Sequence, residues 1–369
     1  MMLSADDDAP RAEGLRGVSI GGEIARAKIN LTLEILGRRP DGYHELRSLV
    51  AFADYGDTLR LEDPTAPFSL RIDGPFASAL EGGNLVQAAA ELYARAMCET
   101  GNAKRPRFER NSPIVTNDAA IAAYHDAGLT PSQTRAARAE QRLGDGARGD
   151  ETSTPGIRDH DAPPLGSFHL TKRIPVAAGL GGGSADAAAA LRSLSQLAPQ
   201  QQPLEALMRL AAKLGADVPV CLLSKPAIMT GIGERLTLLP CFPGIPAVLV
   251  NPRMPLATAA VFRELRAAPL EAAAAAHEAE AVSLHDVEAL VNYAKRRRND
   301  LEAPARRLLP AVSVILDRLE QIPGAVLVRL SGSGPTCFAL FRQWDEAAAA
   351  AEMLRSEQAG WWIEVTTLG

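Results

Sequence analysis

The sequence predicts an α+β protein built in two parts, and three observations carry that prediction. Phe168–Ile174, a glycine-rich run and an apolar segment ending at Leu197 read as strand, loop and helix. The second half orders its segments β-α-α…β-β-α-β, the pattern of an α+β sandwich. The chain has 369 residues, 47% hydrophobic and 22% charged, which is globular and long enough for two domains.

Taken in order, residues 1–17 are small, polar or charged and read as a disordered tail. From Val18 the chain is strand-like. Ile29, Leu31, Leu33 and Ile35 share one face, and Asn30, Thr32 and Glu34 the other. Pro40-Asp41-Gly42 signals a hairpin turn. Leu46–Phe52, Thr58–Glu62 and Phe68–Ile72 read as three further strands. Asn84–Cys98 is helical, with Leu85, Ala88, Ala89, Leu92 and Ala96 on one stripe.

Residues from about 102 to 167 hold prolines, glycines and mixed charges but few apolar side chains. They cannot bury enough surface to offset ordering, and they read as a largely disordered insertion, helical only at Asp118–Tyr124 and Ser132–Leu143. A functional lid is the competing reading. Beyond the glycine run, Leu204–Leu214 is a helix capped by Gly215, followed by the apolar strand-like run Val218–Leu223. Ala227–Thr230 and Glu234–Leu239 form a hairpin, and Ala247–Asn251 is a buried-type strand. Helices follow at Thr258–Arg266, Leu284–Tyr293 and Ala305–Arg318, with a low-complexity stretch at Ala267–Ala281. Val326–Leu330 and Cys337–Phe341 are strands around S-G-S-G-P-T, Asp345–Gln358 is helical and Trp362–Thr367 is a last strand.

Composition removes several function classes. The net charge of −5 gives no basic footprint for nucleic acid. Cys98, Cys221, Cys241 and Cys337 are too far apart for metal-ligand spacing and read as buried free thiols. No run reaches 18 apolar residues, so no membrane span is expected. The acidic N-terminal segment has no apolar core of a secretory signal, and a cytoplasmic setting follows.

Four glycines, Gly179, Gly181, Gly182 and Gly183, fall just before a helix. Glycine tolerates positive φ and leaves no Cβ in the way, so backbone N–H groups can converge on one point. A helix N-terminus behind them adds unpaired N–H groups and positive dipole, and together they suit a phosphate. The run matches neither the P-loop nor the dinucleotide fingerprint. Taken alone, it also reads as a merely flexible loop. Lys28 shares the polar face of its strand with Asn30, and reads as a surface lysine or as a cation aimed at a phosphate or hydroxyl. Asp217 is a turn aspartate or, beside an apolar run, a general base. Ser331, Gly332, Ser333 and Gly334 form a hairpin turn or a second backbone-donor loop. Tyr43 and His44 are a packed loop corner or a stacking pair for a base, and Asn299 reads as a helix N-cap.

A-K-I-N-L at Ala27–Leu31, P-x-x-x-G-L-G-G-G-S-x-D-A at Pro175–Ala187, G-A-D-V-P at Gly215–Pro219 and L-S-G-S-G-P-T at Leu330–Thr336 stand in the order found in GHMP kinases, and the chain resembles that superfamily. G-R-R-P-D-G-Y-H-E-L at Gly37–Leu46 and N-D-L-E at Asn299–Glu302 narrow the resemblance to members acting on a cytidine diphosphate ester of methylerythritol. It covers roughly residues 18–100 and 168–369.

The resemblance implies an N-terminal domain like the second domain of ribosomal protein S5, at 18–240, and a C-terminal ferredoxin-like domain at 241–369. It implies transfer of the ATP γ-phosphoryl group to a 2-hydroxyl, with magnesium and a small-molecule substrate, by a monomer or a homodimer. Pro175, Val176, Ala177, Ala178, Gly179, Leu180, Gly181, Gly182, Gly183, Ser184 and Ala185 would form the nucleotide segment. Asp217 would take the hydroxyl proton and Lys28 would orient the hydroxyl and hold negative charge. Asn30 would assist near the hydroxyl, Tyr43 and His44 would lie at the cytidine, and Ser331–Gly334 would flank the diphosphate or steady the nucleotide loop. The family often has a second serine where this chain has Ala185, so Ser184 or water would have to serve magnesium, with Asp186 an alternative carboxylate. Another small-molecule kinase of the superfamily, or a nucleotide-binding relative without turnover, are the competing readings.

Overall fold

One long strand, β3 (His44–Asp63), is the spine of the molecule. The computed structural model describes residues 20–80, 83–99, 165–198, 202–271 and 283–369. The expected tail, the insertion helices and most of Ala267–Ala281 lie outside these residues.

Sequence reading divides β3 at D-Y-G-D, but the structure runs 20 residues through without a break. The reason lies across the ladder. β1 (Ile20–Asn30) pairs with β3 from Ile20↔Leu61 to Asn30↔Val50, and register shifts, one of them between Arg26 and Lys28, absorb the irregularity. Gly56 permits the close approach, because a Cβ there would lie 2.2 Å from the Ala25 carbonyl oxygen. Asp57 is then carried into the interior with no exposed surface.

The first part of β3 pairs with β2 (Glu34–Arg38) across the expected Pro40–Gly42 turn, and with β6 (Ala227–Gly231). The last part pairs with β5 (Ser167–Thr171), which takes β4 (Ser69–Asp73) in parallel. β7 (Arg235–Leu238) closes the expected hairpin with β6. In the second half, β8 (Ile245–Asn251) lies between β10 (Cys337–Leu340) and β11 (Trp362–Leu368), with β9 (Leu327–Leu330) beside β10. β11 ends against β3 at Leu368↔Ala53, and Phe52 and Gly369 exchange backbone hydrogen bonds. One sheet path, β4-β5-β3-β11-β8-β10-β9, therefore runs through both halves, an α+β architecture as expected.

Helices cover the sheet in two groups. α1 (Leu85–Glu99), α2 (Gly182–Leu197), α3 (Leu204–Leu214) and α4 (Val218–Leu223) belong to the first half. Their core joins Val86, Ala89, Tyr93 and Ala187–Leu191 to Phe52, Leu59, Phe168 and Leu170. α5 (Thr258–Leu265), α6 (Val287–Lys295), α7 (Glu302–Leu308), α8 (Ala311–Glu320) and α9 (Trp344–Glu357) belong to the second. Val248, Val250, Cys337 and Ala339 meet α5, α7, α8 and α9, while Ala247, Leu249 and Phe338 meet α6 in the other core. That second core continues through Ile29, Leu31, Ala178 and Leu180 to the underside of the glycine loop.

Several expectations are corrected. Val218–Leu223 is a helix rather than a strand, because Pro219 in its first turn needs no donor and Ser224 closes it in the left-handed region. The single helix expected at Ala305–Arg318 is two, divided at Leu309-Pro310, where proline cannot continue the first. The buried stripe of α1 is rotated to Val86, Ala89, Ala90 and Tyr93, with Asn84 Oδ1 accepting from the Val86 N–H at 2.7 Å. β1 ends at Asn30, and both faces of the chain are interior there: Lys28, Asn30 and Thr32 are buried, as are Ile29 and Leu31. Of the cysteines, Cys221 and Cys337 are buried, whereas Cys241 is exposed.

Candidate active site

The glycine run lies between β5 and α2, as its sequence predicts. Ala177 (φ 52°), Gly179 (φ 73°) and Gly181 (φ 63°) take left-handed conformations at alternate positions. Such alternation turns successive N–H groups toward one concavity, a nest for an anion. Gly181 occupies the N-cap of α2 with no side-chain cap, so the first-turn N–H groups have no partner within the helix. Gly179 could not be another residue: its Cβ would lie 2.5 Å from the Ser331 carbonyl oxygen and 2.7 Å from that of Gly334.

Lys28, near the end of β1, is tied to this loop by its backbone, which donates to the Leu180 carbonyl at 2.8 Å. Its Nζ lies 2.7 Å from Asp217 Oδ1. The lysine side chain is 4% exposed and the aspartate 37%, so the cation comes from beneath and the carboxylate opens outward. The surface-lysine reading is thereby excluded. Asp217 sits at the N-cap of α4 but caps nothing with its side chain. Arg192 of α2 holds α4 in place. It donates to the Cys221 and Leu222 carbonyls at 3.0 and 3.2 Å, while its Nε donates to Glu23 on β1.

Asn30 and the Ser331–Gly334 loop meet on the same side. The Asn30 N–H donates to Ser331 Oγ at 3.2 Å, and Ser331 Oγ donates to the Gly179 carbonyl at 3.1 Å. Asn30 Nδ2 donates to Ser48 Oγ at 2.8 Å, which fixes its amide. Asn299 is not the cap of α7. It is buried behind the second loop, with Nδ2 donating to the Leu330 and Gly332 carbonyls at 2.9 and 2.8 Å. Ser333 Oγ lies 2.8 Å from Thr258 Oγ1. The second loop thus steadies the first through direct contacts.

Tyr43 and His44 stand elsewhere. On β3, His44 is eight residues from Phe52, the partner of Lys28, a separation of about 25 Å in an extended strand. The His44 ring packs on Phe262 of α5 with centroids 4.9 Å apart. Burial, and then the neighbouring Arg38, lower its pKa below the usual histidine value. Tyr43 is held by its backbone: its N–H donates to Asp41 Oδ1 at 3.1 Å.

A cluster that sequence reading missed underlies the glycine loop. Lys172 Nζ donates to Asp57 and, at 2.6 Å, to Asp186 Oδ2, with all three side chains buried. Asp57 Oδ1 also accepts from the Arg173 and Ile174 N–H groups at 2.5 and 2.9 Å. Burial pushes the Asp186 carboxyl up to about 8, with Lys172 opposing and Asp57 reinforcing the shift. Burial disfavours the Lys172 ammonium, but Asp186 and Asp57 outweigh it and raise its pKa. Asp186 is therefore committed to Lys172 rather than open to a metal. Ala185, also buried, offers no side-chain oxygen, which leaves Ser184 in the first turn of α2. Among the described residues no group of three or more His, Cys, Asp or Glu side chains could hold a metal alone. That donor set fits a hard cation carried mainly by phosphate oxygens.

A phosphate cradle, a buried lysine and an outward-facing carboxylate define a small-molecule kinase of the GHMP type. The model for the GHMP kinases N terminal domain matches residues 135–225, and that for GHMP kinases C terminal matches 272–359. Relatives named 4-diphosphocytidyl-2-C-methyl-D-erythritol kinase occur in Bradyrhizobium diazoefficiens, 39% identical over 94% of this chain and 97% of that one. Another, in Rhodopseudomonas palustris, is 40% identical over 93% and 96%. A crystal structure of 4-(cytidine 5'-diphospho)-2C-methyl-D-erythritol kinase is 32% identical, covers 95% of this chain and 99% of its own, and superposes with a TM-score of 0.61. The chain belongs to the 4-diphosphocytidyl-2-C-methyl-D-erythritol kinase family.

Proposed function

We propose that this chain transfers the γ-phosphoryl group of ATP to the 2-hydroxyl of 4-diphosphocytidyl-2-C-methyl-D-erythritol, giving the 2-phosphate and ADP. The observation that carries this reading is the Lys28–Asp217 pair at 2.7 Å, tied through Leu180 to the glycine loop. Phosphoryl transfer asks for positioning and charge stabilisation more than for covalent chemistry.

The backbone of Gly179–Ser184 and the N-terminus of α2 hold the nucleotide phosphates. Asp217 accepts the proton of the attacking hydroxyl, which frees the oxygen lone pair for phosphorus. Lys28 keeps the carboxylate in place and balances negative charge on the oxygens in flight. Asn30, its Nδ2 fixed by Ser48, presents its remaining amide oxygen beside the hydroxyl. Tyr43 and His44 receive the cytidine at the far end of β3, and Ser331–Gly334 fixes the glycine loop behind the phosphates. Magnesium, when bound, would neutralise phosphate charge, and Ser184 is the residue that would hold it.

In this reading residues 18–240 form the nucleotide-binding and catalytic part and 241–369 the second domain. The acidic net charge supports a small molecule rather than nucleic acid as the partner. No described helix is long and apolar enough to cross a membrane. The test is ADP release by the purified full chain with ATP and each of three alcohols. Turnover with the cytidyl substrate, and none with mevalonate or homoserine, is expected; the reverse pattern would overturn the assignment.

A further inference from the structure

The phosphate loop begins and ends on one buried charge cluster. Lys172 lies just before it and Asp186 just after it, in the first turns of α2. The Lys172 ammonium bonds to Asp186 Oδ2 at 2.6 Å and to Asp57, and Asp57 in turn accepts the two N–H groups by which the chain enters the loop. Lys172 is further anchored by its own N–H, which donates to the Asp73 carbonyl at 2.8 Å.

The charge count is the informative feature. Asp57 and Lys172 already form a balanced pair, and Asp57 has its remaining lone pairs met by backbone donors. Asp186 adds a second buried carboxylate with no second cation, and its Oδ1 has no hydrogen-bond partner among the described residues. Burying such a group opposes folding. What it does achieve is mechanical: it links the helix whose N-terminus faces the phosphates to the strand end that leads into the loop.

We propose that Asp186 is a positioning residue which, through Lys172 and Asp57, holds the two ends of the phosphate loop in the arrangement that binds ATP. The inference rests on the reading of this loop as the ATP site.

ATP affinity measured calorimetrically on the full chain tests the proposal, beside the affinity for the cytidyl substrate and the thermal midpoint. Asp186→Ala places alanine among the alanines of α2 and leaves Asp57–Lys172 balanced, so its midpoint should equal or exceed that of the wild type. Its ATP Kd should rise about tenfold, the scale of a small misplacement of donors, with binding of the cytidyl substrate unmoved. Asp186→Asn retains an oxygen that can accept from Lys172 and should bind ATP close to wild type. The proposal is overturned if Asp186→Ala binds ATP like the wild type, loses both ligands alike, or weakens only in step with a falling midpoint. It is equally overturned if Asp186→Asn is as weak as Asp186→Ala. Wild-type protein that binds ATP but leaves the cytidyl substrate untouched would refute the function while still testing the clamp. Absence of ATP binding would refute both.

Discussion

Lys28 Nζ and Asp217 Oδ1 are 2.7 Å apart, one from the end of a strand and the other from the turn between two helices. The lysine is nearly sealed and the aspartate is over a third exposed, so the carboxylate opens outward while the ammonium supports it from below. Two elements keep this pair in register with the phosphate loop. The Lys28 backbone bonds to Leu180, and Arg192 clasps the last carbonyls of α4, at whose start Asp217 stands.

The loop itself should tolerate no side chain at Gly179. Adding a methyl group brings it to 2.5 Å from a carbonyl oxygen that has nowhere to move, since Ser331 is bonded to both Asn30 and the loop. The left-handed φ adds about 1–2 kcal/mol for a non-glycine residue. Gly179→Ala is expected to raise the KM for ATP by about tenfold or more and to lower the thermal midpoint. Kinetics indistinguishable from wild type would show that the two loops do not need this contact.

His44 makes a pH prediction with a definite sign. Its folded-state pKa is lowered, by burial first and Arg38 second, so protonation favours the unfolded chain. The stability it contributes is present above its unfolded value of 6.5 and is lost as pH falls through the lower folded value. Thermal midpoints measured from neutral to mildly acidic pH should therefore fall more steeply for the wild type than for His44→Gln. Parallel curves would mean that the ring against Phe262 is not what titrates.

These contrasts show what could be seen in the chain itself. Glycines, caps and turn residues act locally, so the phosphate loop, the Pro40–Gly42 turn and the Gly215 cap were legible. The continuous apolar run Ala247–Asn251 located β8 for the same reason. What failed depended on partners distant in sequence. D-Y-G-D looks like a break until β1 pairs across it, and V-P-V-C-L-L looks like a strand until its proline is placed in a first turn. Lys28 and Asp217 were recognisable as candidates by their settings, but not as a bonded pair. Asp57, Lys172 and Arg192 carried no local signal, and Asn299 read as a cap, because nothing in a sequence shows that a charged or amide side chain will be buried against another segment.

The substitution Asp217→Asn bears most directly on the whole account. The amide oxygen can still accept from Lys28, so the geometry at 2.7 Å has no reason to change, while the group proposed to take the hydroxyl proton is gone. Single-turnover phosphorylation of the cytidyl substrate is the measurement, with ATP affinity determined on the same protein. The expected result is ATP binding near wild type and a rate reduced by about 10²–10⁴-fold, the range for loss of a general base. An unchanged rate would contradict the account by removing Asp217 from the chemistry.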